Sequence, residues 1–161
     1  MTLLSLHTEL DKNKVGAKAY NLSIMMRAGL NVPRGFVFDT VAFEAWDLEI
    51  VRAGIEKVLS SFNAKGYMVR SSAIGEDGEE CSFAGQLDSF ICGDSLDEIV
   101  DKVRLCWESY KNERVTTYQI QNGKKLNGMG VVIQELVNPD YAGVIFSESY
   151  LKENSMLCEY L

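Results

Sequence analysis

The chain has few of the histidines and paired cysteines that form zinc sites, no excess of the positive charge that binds nucleic acid, and no long apolar run of the kind that spans a membrane. It contains one histidine, His7, and four scattered cysteines without a Cys-x-x-Cys pair, so it has no metal-knuckle spacing. A net charge of −7 argues against sequence-independent binding of nucleic acid and against attraction to an anionic membrane surface. No apolar run approaches the roughly 18 residues that span a bilayer. We therefore expect a soluble protein with no nucleic-acid or membrane partner.

The sequence also lacks repeats, low-complexity segments and a proline-rich linker. It has two prolines in 161 residues, a length sufficient for one ordinary domain with a real core. The first residues lack the basic start and long apolar core of a signal peptide, which predicts a cytoplasmic location. Cys92 and Cys106 lie in apolar surroundings and are expected to be reduced core residues. Cys81 lies in a polar loop and is the one cysteine to test for reactivity.

Apolar periodicity and turn residues predict alternating helices and strands. The predicted elements are a helix from Val15 to Arg27, a strand over Gly35–Phe38, a helical stretch from Asp39 or Thr40 to Leu59, a strand over Tyr67–Val69, an alternating segment over Leu87–Cys92, a helix from Leu96 that can be followed to Gln121, and strands over Gly130–Val137 and Ala142–Ser147. Asn13 is a plausible N-cap, Gly29 a stop signal, and Ser95 to Glu98 a capping box.

The order of these elements indicates an α+β fold. The last two predicted strands are joined by an Asn138-Pro-Asp turn, which predicts an antiparallel hairpin. We expect a mixed sheet with this terminal antiparallel pair and flanking helices. The apolar residues from Met156 to Leu161 resemble an unfinished strand, so we expect the chain to be a fragment of a larger protein.

The segment from Tyr67 to Phe90 carries the most chemical information. A short strand is followed by Arg70, by the hydroxyls of Ser71 and Ser72, and by a loop that contains Gly75, Gly78 and Gly85. Backbone N–H groups of glycine-containing loops can approach an anion closely. An arginine adds a planar fork that matches phosphate oxygens. This combination suggests a nucleotide site.

Each candidate residue also has a plain structural explanation. Arg70 can form a salt bridge with Glu76 or Asp77, and the acidic loop would repel a phosphate unless its carboxylates turn away, pair with Arg70 or act through a cation. Lys18 can lie on a solvated helix edge, or it can reach a phosphate near Arg70. The strand Gly130–Val137 is either a core strand or an edge that presents backbone groups to an adenine.

Taken together, the motifs resemble the N-terminal nucleotide-binding domain of the phosphoenolpyruvate synthase and pyruvate phosphate dikinase family, a branch of the ATP-grasp fold. The matching elements are Gly16-Ala-Lys18-Ala-Tyr-Asn21-Leu22, Gly29-Leu-Asn-Val-Pro-Arg-Gly-Phe36, Val69 to Ala73 with Glu76-Asp77, Ser82-Phe-Ala-Gly-Gln86, Cys106 to Ser109, and Ile133 to Val137 with Gly143 to Phe146. Six elements occur in the family's order over most of the chain.

The resemblance implies a role for each matching residue. Lys18 and Arg70 correspond to cations that contact the phosphates of ATP. Ser82, Gly85 and Gln86 belong to a mobile loop that closes over the nucleotide. The residues implied to form the hinge beside adenine are Gln134, Glu135, Leu136 and Val137.

The resemblance also implies what residues 1–161 lack as a partial ATP-grasp domain. In relatives, this domain transfers phosphoryl groups from ATP to a carrier histidine or another acceptor. The ligands of Mg²⁺ and the catalytic arginine would lie beyond Leu161, so the partners are the remaining ATP-grasp subdomain and a phosphohistidine or acceptor domain, and no catalytic residue is assigned here.

Two features depart from the family pattern. The segment between Phe38 and Tyr67 is short, and Ser147-Glu-Ser replaces the usual Phe-Thr-x-x-Pro ending. The alternatives are therefore an antibiotic or glucan dikinase subfamily, and a nucleotide-binding or regulatory module that never catalyses.

Overall fold

The computed structural model describes residues 3–44, 46–62, 64–75, 77–78, 81–82, 87–122, 126–146 and 155–160. Its elements are β1 (Leu3–Ser5), α1 (Lys12–Arg27), β2 (Gly35–Phe38), α2 (Thr40–Glu44), α3 (Leu48–Leu59), β3 (Tyr67–Ala73), β4 (Asp77–Gly78), β5 (Cys81–Ser82), β6 (Ser89–Cys92), α4 (Leu96–Ser109), α5 (Glu113–Asn122), β7 (Met129–Glu135), β8 (Gly143–Phe146) and β9 (Leu157–Tyr160). The α+β class is confirmed. Within these ranges, no helix combines the length and apolar content needed to cross a bilayer.

A five-stranded sheet in the order β1-β2-β7-β3-β6 forms the body of the fold. All four of its pairings are antiparallel, so in this detail the sheet differs from the mixed sheet expected. The reason is the position of β7. Strands β2 and β3 run in the same direction, but β7 lies between them and opposes both, so no parallel pairing forms.

The predicted hairpin between residues 130–137 and 142–147 is wrong. The two edges of β7 are occupied by β2 and β3, and β8 pairs instead with β9, from Gly143↔Tyr160 to Phe146↔Leu157. A terminal antiparallel pair is present, but it consists of β8 and β9. A buried apolar strand such as β7 gains more from two strand partners inside a core than from one partner across a turn.

Hydrophobic residues pack on both faces of the sheet. On one face, Val69, Val131 and Ile133 lie in a large core with side chains from α3 and α4. On the other face, Val37 and Val132 pack against α1. Residues 129 to 134 of β7 are all buried, which explains why this strand reads as a continuous apolar run with little alternation.

Helix α1 begins and ends close to the expected residues but with a different cap and an interruption. Asp11, and not Asn13, is the N-cap, because its carboxylate accepts a hydrogen bond from the Asn13 N–H at 2.9 Å. Gly16 interrupts the helix with φ +81° and ψ 167°. The predicted stop is confirmed: Gly29 has φ +81°, and its N–H donates to the Met26 carbonyl.

Two longer helices that the sequence suggested are each divided. The stretch that begins near Thr40 is two helices, because Asp47 caps α3 by accepting from the N–H groups of Glu49 and Ile50. Helix α4 ends at Ser109, and α5 is separate.

The predicted capping box at the start of α4 does not form. Ser95 is the N-cap residue, but its side chain makes no capping hydrogen bond. The Glu98 carboxylate instead accepts from the Gly93 N–H at 3.1 Å.

Candidate functional site

Helix α1 meets strand β3 at an unusually close contact. A Cβ atom on Gly16 would lie 2.1 Å from the carbonyl oxygen of Ser72, so only glycine fits there. The helix restarts after this residue, and its Ala19 N–H donates to the Ser72 hydroxyl at 3.0 Å. Ser72 therefore satisfies one of the backbone donors that a helix start leaves open.

Lys18 lies in the same contact and reaches β3. Its Nζ donates to the Ser71 carbonyl oxygen at 2.6 Å. The pairing between β3 and β6 ends at Arg70↔Ser89, one residue earlier. The lysine ammonium is thus held where the backbone ladder on that edge stops, and α1 contributes a positive charge to the β3 strand.

Arg70 lies inside strand β3 and not after its end. The strand continues to Ala73 because β7 pairs with it as far as Ala73↔Met129. Arg70 is directly opposite Val132 and Ser89, so it shares their face of the sheet, the face on which α1 packs. Within the described ranges, the half-buried guanidinium of Arg70 donates no hydrogen bond and forms no ion pair.

The alternative partners of Arg70 lie outside what the structure describes. Glu76 is outside the described residues, and the side chain of Asp77 is not described. The same holds for part of the predicted mobile loop. Gly85 and Gln86 lie outside the described residues, whereas the backbone of Ser82 lies in β5, opposite Asp77.

An open apolar surface continues from Arg70 along the same face. Met68 and Ile91 are directly opposite each other on β3 and β6. Ile91 is 62% exposed, although it lies in a strand of the main sheet. We call the surface formed by Met68, Arg70, Ser89 and Ile91 the open face, because the core that α1 forms on that side of the sheet includes Val37 and Val132 but none of these four residues.

The predicted hinge lies at the opposite end of β3 from Ser72. Glu135 is opposite Tyr67, and the Leu136 N–H donates to the Gly66 carbonyl at 3.0 Å. Beyond this bond, the Leu136 carbonyl and the Val137 N–H make no hydrogen bond within the described part of the chain. Leu136 and Val137 are 39% and 56% exposed. The hinge thus presents backbone polar groups between apolar side chains.

A cavity of about 1260 Å³ adjoins this hinge. Its lining includes Asn31, Pro33, Arg34, Lys65, Glu135, Leu136, Val137 and Tyr141. A smaller cavity of about 220 Å³ lies elsewhere, between Trp46 and Trp107 on the side of α4. Of these two cavities, the larger one contains predicted site residues, so it is the candidate for a base.

Arg34 and Phe62 lie beside the hinge but were not singled out from the sequence. Arg34 donates to both carboxylate oxygens of Glu135, from Nε at 3.1 Å and from Nη2 at 2.6 Å. These hydrogen bonds raise the pKa of Arg34 above its usual value. The guanidinium also lies 5.0 Å from the centre of the Phe62 ring. The pair joins residues 101 positions apart, and no local sequence signal could reveal it.

The side chain of Gln134 points into the protein and contacts Pro33. Its side chain is buried, and Nε2 donates to the Pro33 carbonyl at 3.0 Å. Gln134 and Glu135 therefore both bind the segment 33–34 through their side chains. What remains available to a ligand at the hinge is the backbone and the apolar side chains of Leu136 and Val137.

The two core cysteines are unreactive by environment. Burial raises the pKa of the Cys92 thiol to about 11 and that of the Cys106 thiol to about 12. Both are free and buried, as expected. The side chain of Cys81 is not described. Among the described residues, no group of three His, Cys, Asp or Glu side chains could hold a metal ion.

Comparison with known proteins gives a consistent family. Residues 47–158 match the family model described as pyruvate phosphate dikinase, AMP/ATP-binding domain. The chain is 33% identical to an uncharacterized phosphotransferase of Bacillus subtilis over 83% of its length, and 29% identical to a probable phosphoenolpyruvate synthase of Archaeoglobus fulgidus over 86%. It is also 33% identical to a rifampicin phosphotransferase of Bacillus subtilis over 66%.

The alignments cover only a part of each relative. They take in 19% of the Bacillus phosphotransferase, 25% of the Archaeoglobus protein and 12% of the rifampicin phosphotransferase. The family match covers more than half of this chain and includes Arg70 and the hinge, while Lys18 lies before its first residue. On this match, the chain belongs to the pyruvate phosphate dikinase AMP/ATP-binding domain family.

Proposed function

We propose that the chain binds ATP across the open face and is the ATP-binding part of a phosphotransferase related to phosphoenolpyruvate synthase and pyruvate phosphate dikinase. The observation that carries the proposal is the arrangement along one strand. β3 has the hinge and its cavity at Tyr67, and Arg70 and the Lys18 contact further along. The base would lie at the hinge and the phosphates near the two cations.

The spacing along β3 fits a nucleotide. Arg70 is three positions after Tyr67, which at 3.3 Å per residue is about 10 Å. That length is comparable with the separation between the base and the phosphates of an extended nucleotide. Met68 and Ile91 lie between these two ends and supply an apolar surface for the sugar and the base.

The hinge supplies the polar groups that an adenine edge needs. Adenine offers an amino donor and ring-nitrogen acceptors. The Leu136 carbonyl and the Val137 N–H provide an acceptor and a donor within the described residues. Leu136 and Val137 can cover the ring with their side chains. A backbone site of this kind selects adenine without requiring the side chains of Gln134 or Glu135.

The phosphate end provides charge at fixed positions. Catalysis of phosphoryl transfer depends mainly on positioned cations that stabilise the phosphoryl oxygens. The Arg70 guanidinium can bind two oxygens, whereas Lys18 acts as a point charge held in place through the Ser71 carbonyl. We further propose that the loop with Ser82, Gly85 and Gln86 closes over the phosphates.

The rest of the reaction is assigned to the remainder of a longer protein. Magnesium coordination needs a set of oxygen ligands, and among the described residues no group of three His, Cys, Asp or Glu side chains could hold a metal ion. We propose that the Mg²⁺ ligands, the second ATP-grasp subdomain and the carrier histidine or other phosphoryl acceptor lie outside residues 1–161. An ATP-dependent enzyme of this class would work in the cytoplasm, where ATP is supplied.

Calorimetric titration of the full-length protein with ATP, ADP and adenosine tests the phosphate assignment. A charge-assisted contact contributes about 1.5–3 kcal/mol, so Arg70→Ala should weaken binding of ATP and ADP about tenfold to a hundredfold. Lys18→Ala should have a smaller effect, because an ammonium cannot bind two oxygens as a fork. Binding of adenosine should change little in either variant.

Arg52→Ala is the matched control, since it removes the same charge from a residue that pairs with Asp97 away from the open face. It should leave all three affinities unchanged. If Arg70→Ala weakened adenosine as strongly as ATP, Arg70 would be a structural residue, and the phosphate assignment would be wrong.

A further inference from the structure

Besides the strand pairing Gly35↔Gln134, four hydrogen bonds join the segment 33–35 to the end of β7. The Arg34 guanidinium binds the Glu135 carboxylate through two hydrogen bonds, and the Gln134 amide donates to the Pro33 carbonyl. The Glu135 N–H donates to the Arg34 carbonyl at 2.9 Å. Arg34 thus donates to Glu135 through its side chain, and Glu135 donates to Arg34 through its backbone N–H.

The Arg34 side chain is held from a third direction. Its guanidinium lies 5.0 Å from the Phe62 ring centre, and Phe62 packs edge-to-face on Phe36 at 5.7 Å between ring centres. A planar guanidinium between a carboxylate fork and an aromatic ring has one preferred orientation. The carboxylate that it holds is fixed with it.

Stability alone does not account for this arrangement. The Arg34 and Glu135 side chains are 52% and 19% exposed. A solvent-exposed ion pair contributes only about 0–1 kcal/mol, and a bidentate arginine–carboxylate pair with a largely buried carboxylate contributes more than a typical one. Besides stabilising the fold, the pair fixes geometry at the last residue of β7, directly before the backbone groups of Leu136 and Val137.

We infer that Arg34 is a positioning residue for the base end of the nucleotide site. By holding the Glu135 carboxylate against the segment 33–35, it sets the direction in which the chain leaves β7 and keeps that carboxylate from turning into the cavity beside the hinge. Without Arg34, Glu135 places an uncompensated negative charge next to the base. The inference rests on the proposed function, because it concerns the same site.

Titration of the full-length protein with adenosine and ATP tests the inference. Arg34→Ala should weaken both ligands by a similar factor of about three to ten, because the base is common to both. A loss near tenfold would exceed the roughly fivefold change in affinity that corresponds to 1 kcal/mol, the upper contribution of an exposed ion pair. The melting temperature should stay near that of wild type. Arg52→Ala, which removes an arginine from another exposed ion pair, should change neither affinity.

The exchanged double variant Arg34→Glu with Glu135→Arg gives the decisive comparison. It restores a fork-shaped pair between the same positions and should recover most of the affinity for adenosine, whereas Arg34→Glu alone should bind it more weakly than Arg34→Ala does. A purely structural role would lower the melting temperature without this pattern of loss and recovery.

Two results would overturn the inference while leaving the proposed function in place: an unchanged adenosine affinity in Arg34→Ala, or no recovery in the exchanged variant, while Arg70→Ala still weakens ATP selectively. If wild type bound neither adenosine nor ATP, the inference and the proposed function would both be wrong.

Discussion

The two faces of the five-stranded sheet are built from the same strands but are used differently. One face is covered by α3 and α4, and the side chains of Val69, Val131 and Ile133 on it are fully buried. The other face is covered by α1 only in part. Beyond α1, the open face presents a half-buried arginine and an isoleucine that is 62% exposed.

This difference separates the face that mainly stabilises the fold from the open face, whose side chains are available to bind a ligand. Burying a large apolar side chain contributes about 1.5–3 kcal/mol, and the covered face collects many such contributions. On the open face, fewer apolar side chains are buried, so this face contributes less to stability. The Arg70 side chain and the apolar surface of Ile91 stay accessible there. A ligand of matching shape can then bury what the fold leaves exposed.

The comparison between the faces can be tested most strongly with two isoleucines. Ile133→Ala empties a fully buried position on the covered face and should lower the free energy of unfolding by about 2–5 kcal/mol. Ile91→Ala makes the same chemical change on the open face and should stay within about 0.5 kcal/mol of wild type. Urea denaturation of both variants measures the difference. Equal losses would contradict the division into a stabilising and an open face.

A pair of glycines tests the close contact between α1 and β3. Gly16 and Gly29 both have φ +81°, but only Gly16 has backbone atoms within 3 Å of an added Cβ. Gly29→Ala should cost about 1–2 kcal/mol, the usual penalty of a left-handed conformation. Gly16→Ala should cost more, because Ser72 must also move.

The thermal unfolding of the two glycine variants gives their relative stabilities. Since Lys18 and Ala19 contact β3 directly after Gly16, the Gly16 variant should also bind ATP more weakly. If both variants had the same stability and the same ATP affinity, the close contact between α1 and β3 would contribute to neither.

Local patterns in the sequence predicted the elements better than their pairing. The strand Gly35–Phe38 has the predicted bounds, and Gly29 ends α1 as expected. These features depend on short-range chemistry: apolar runs, caps and positive φ angles. The hairpin prediction failed because β7 pairs with β2 and β3, which are distant in the sequence, and a turn signal at Asn138 carries no information about them.

The candidate site shows the same limit. Lys18, Arg70 and the hinge were singled out from the sequence through a family resemblance, and the structure arranges them along β3. Arg34 was missed because its partner, Glu135, is 101 residues away and only the β2–β7 pairing brings them together. The extension of β3 past Val69 was also missed, since Arg70 and two serines look like a strand end until β7 is placed beside them.

A crystal structure of the full-length protein with a non-hydrolysable ATP analogue tests the central claim most directly. We expect the adenine edge within hydrogen-bonding distance of the Leu136 and Val137 backbone, the triphosphate at Arg70 and Lys18, and Ile91 covered by the nucleotide. An analogue bound away from the open face, with Arg70 paired to Glu76 or Asp77, would contradict it.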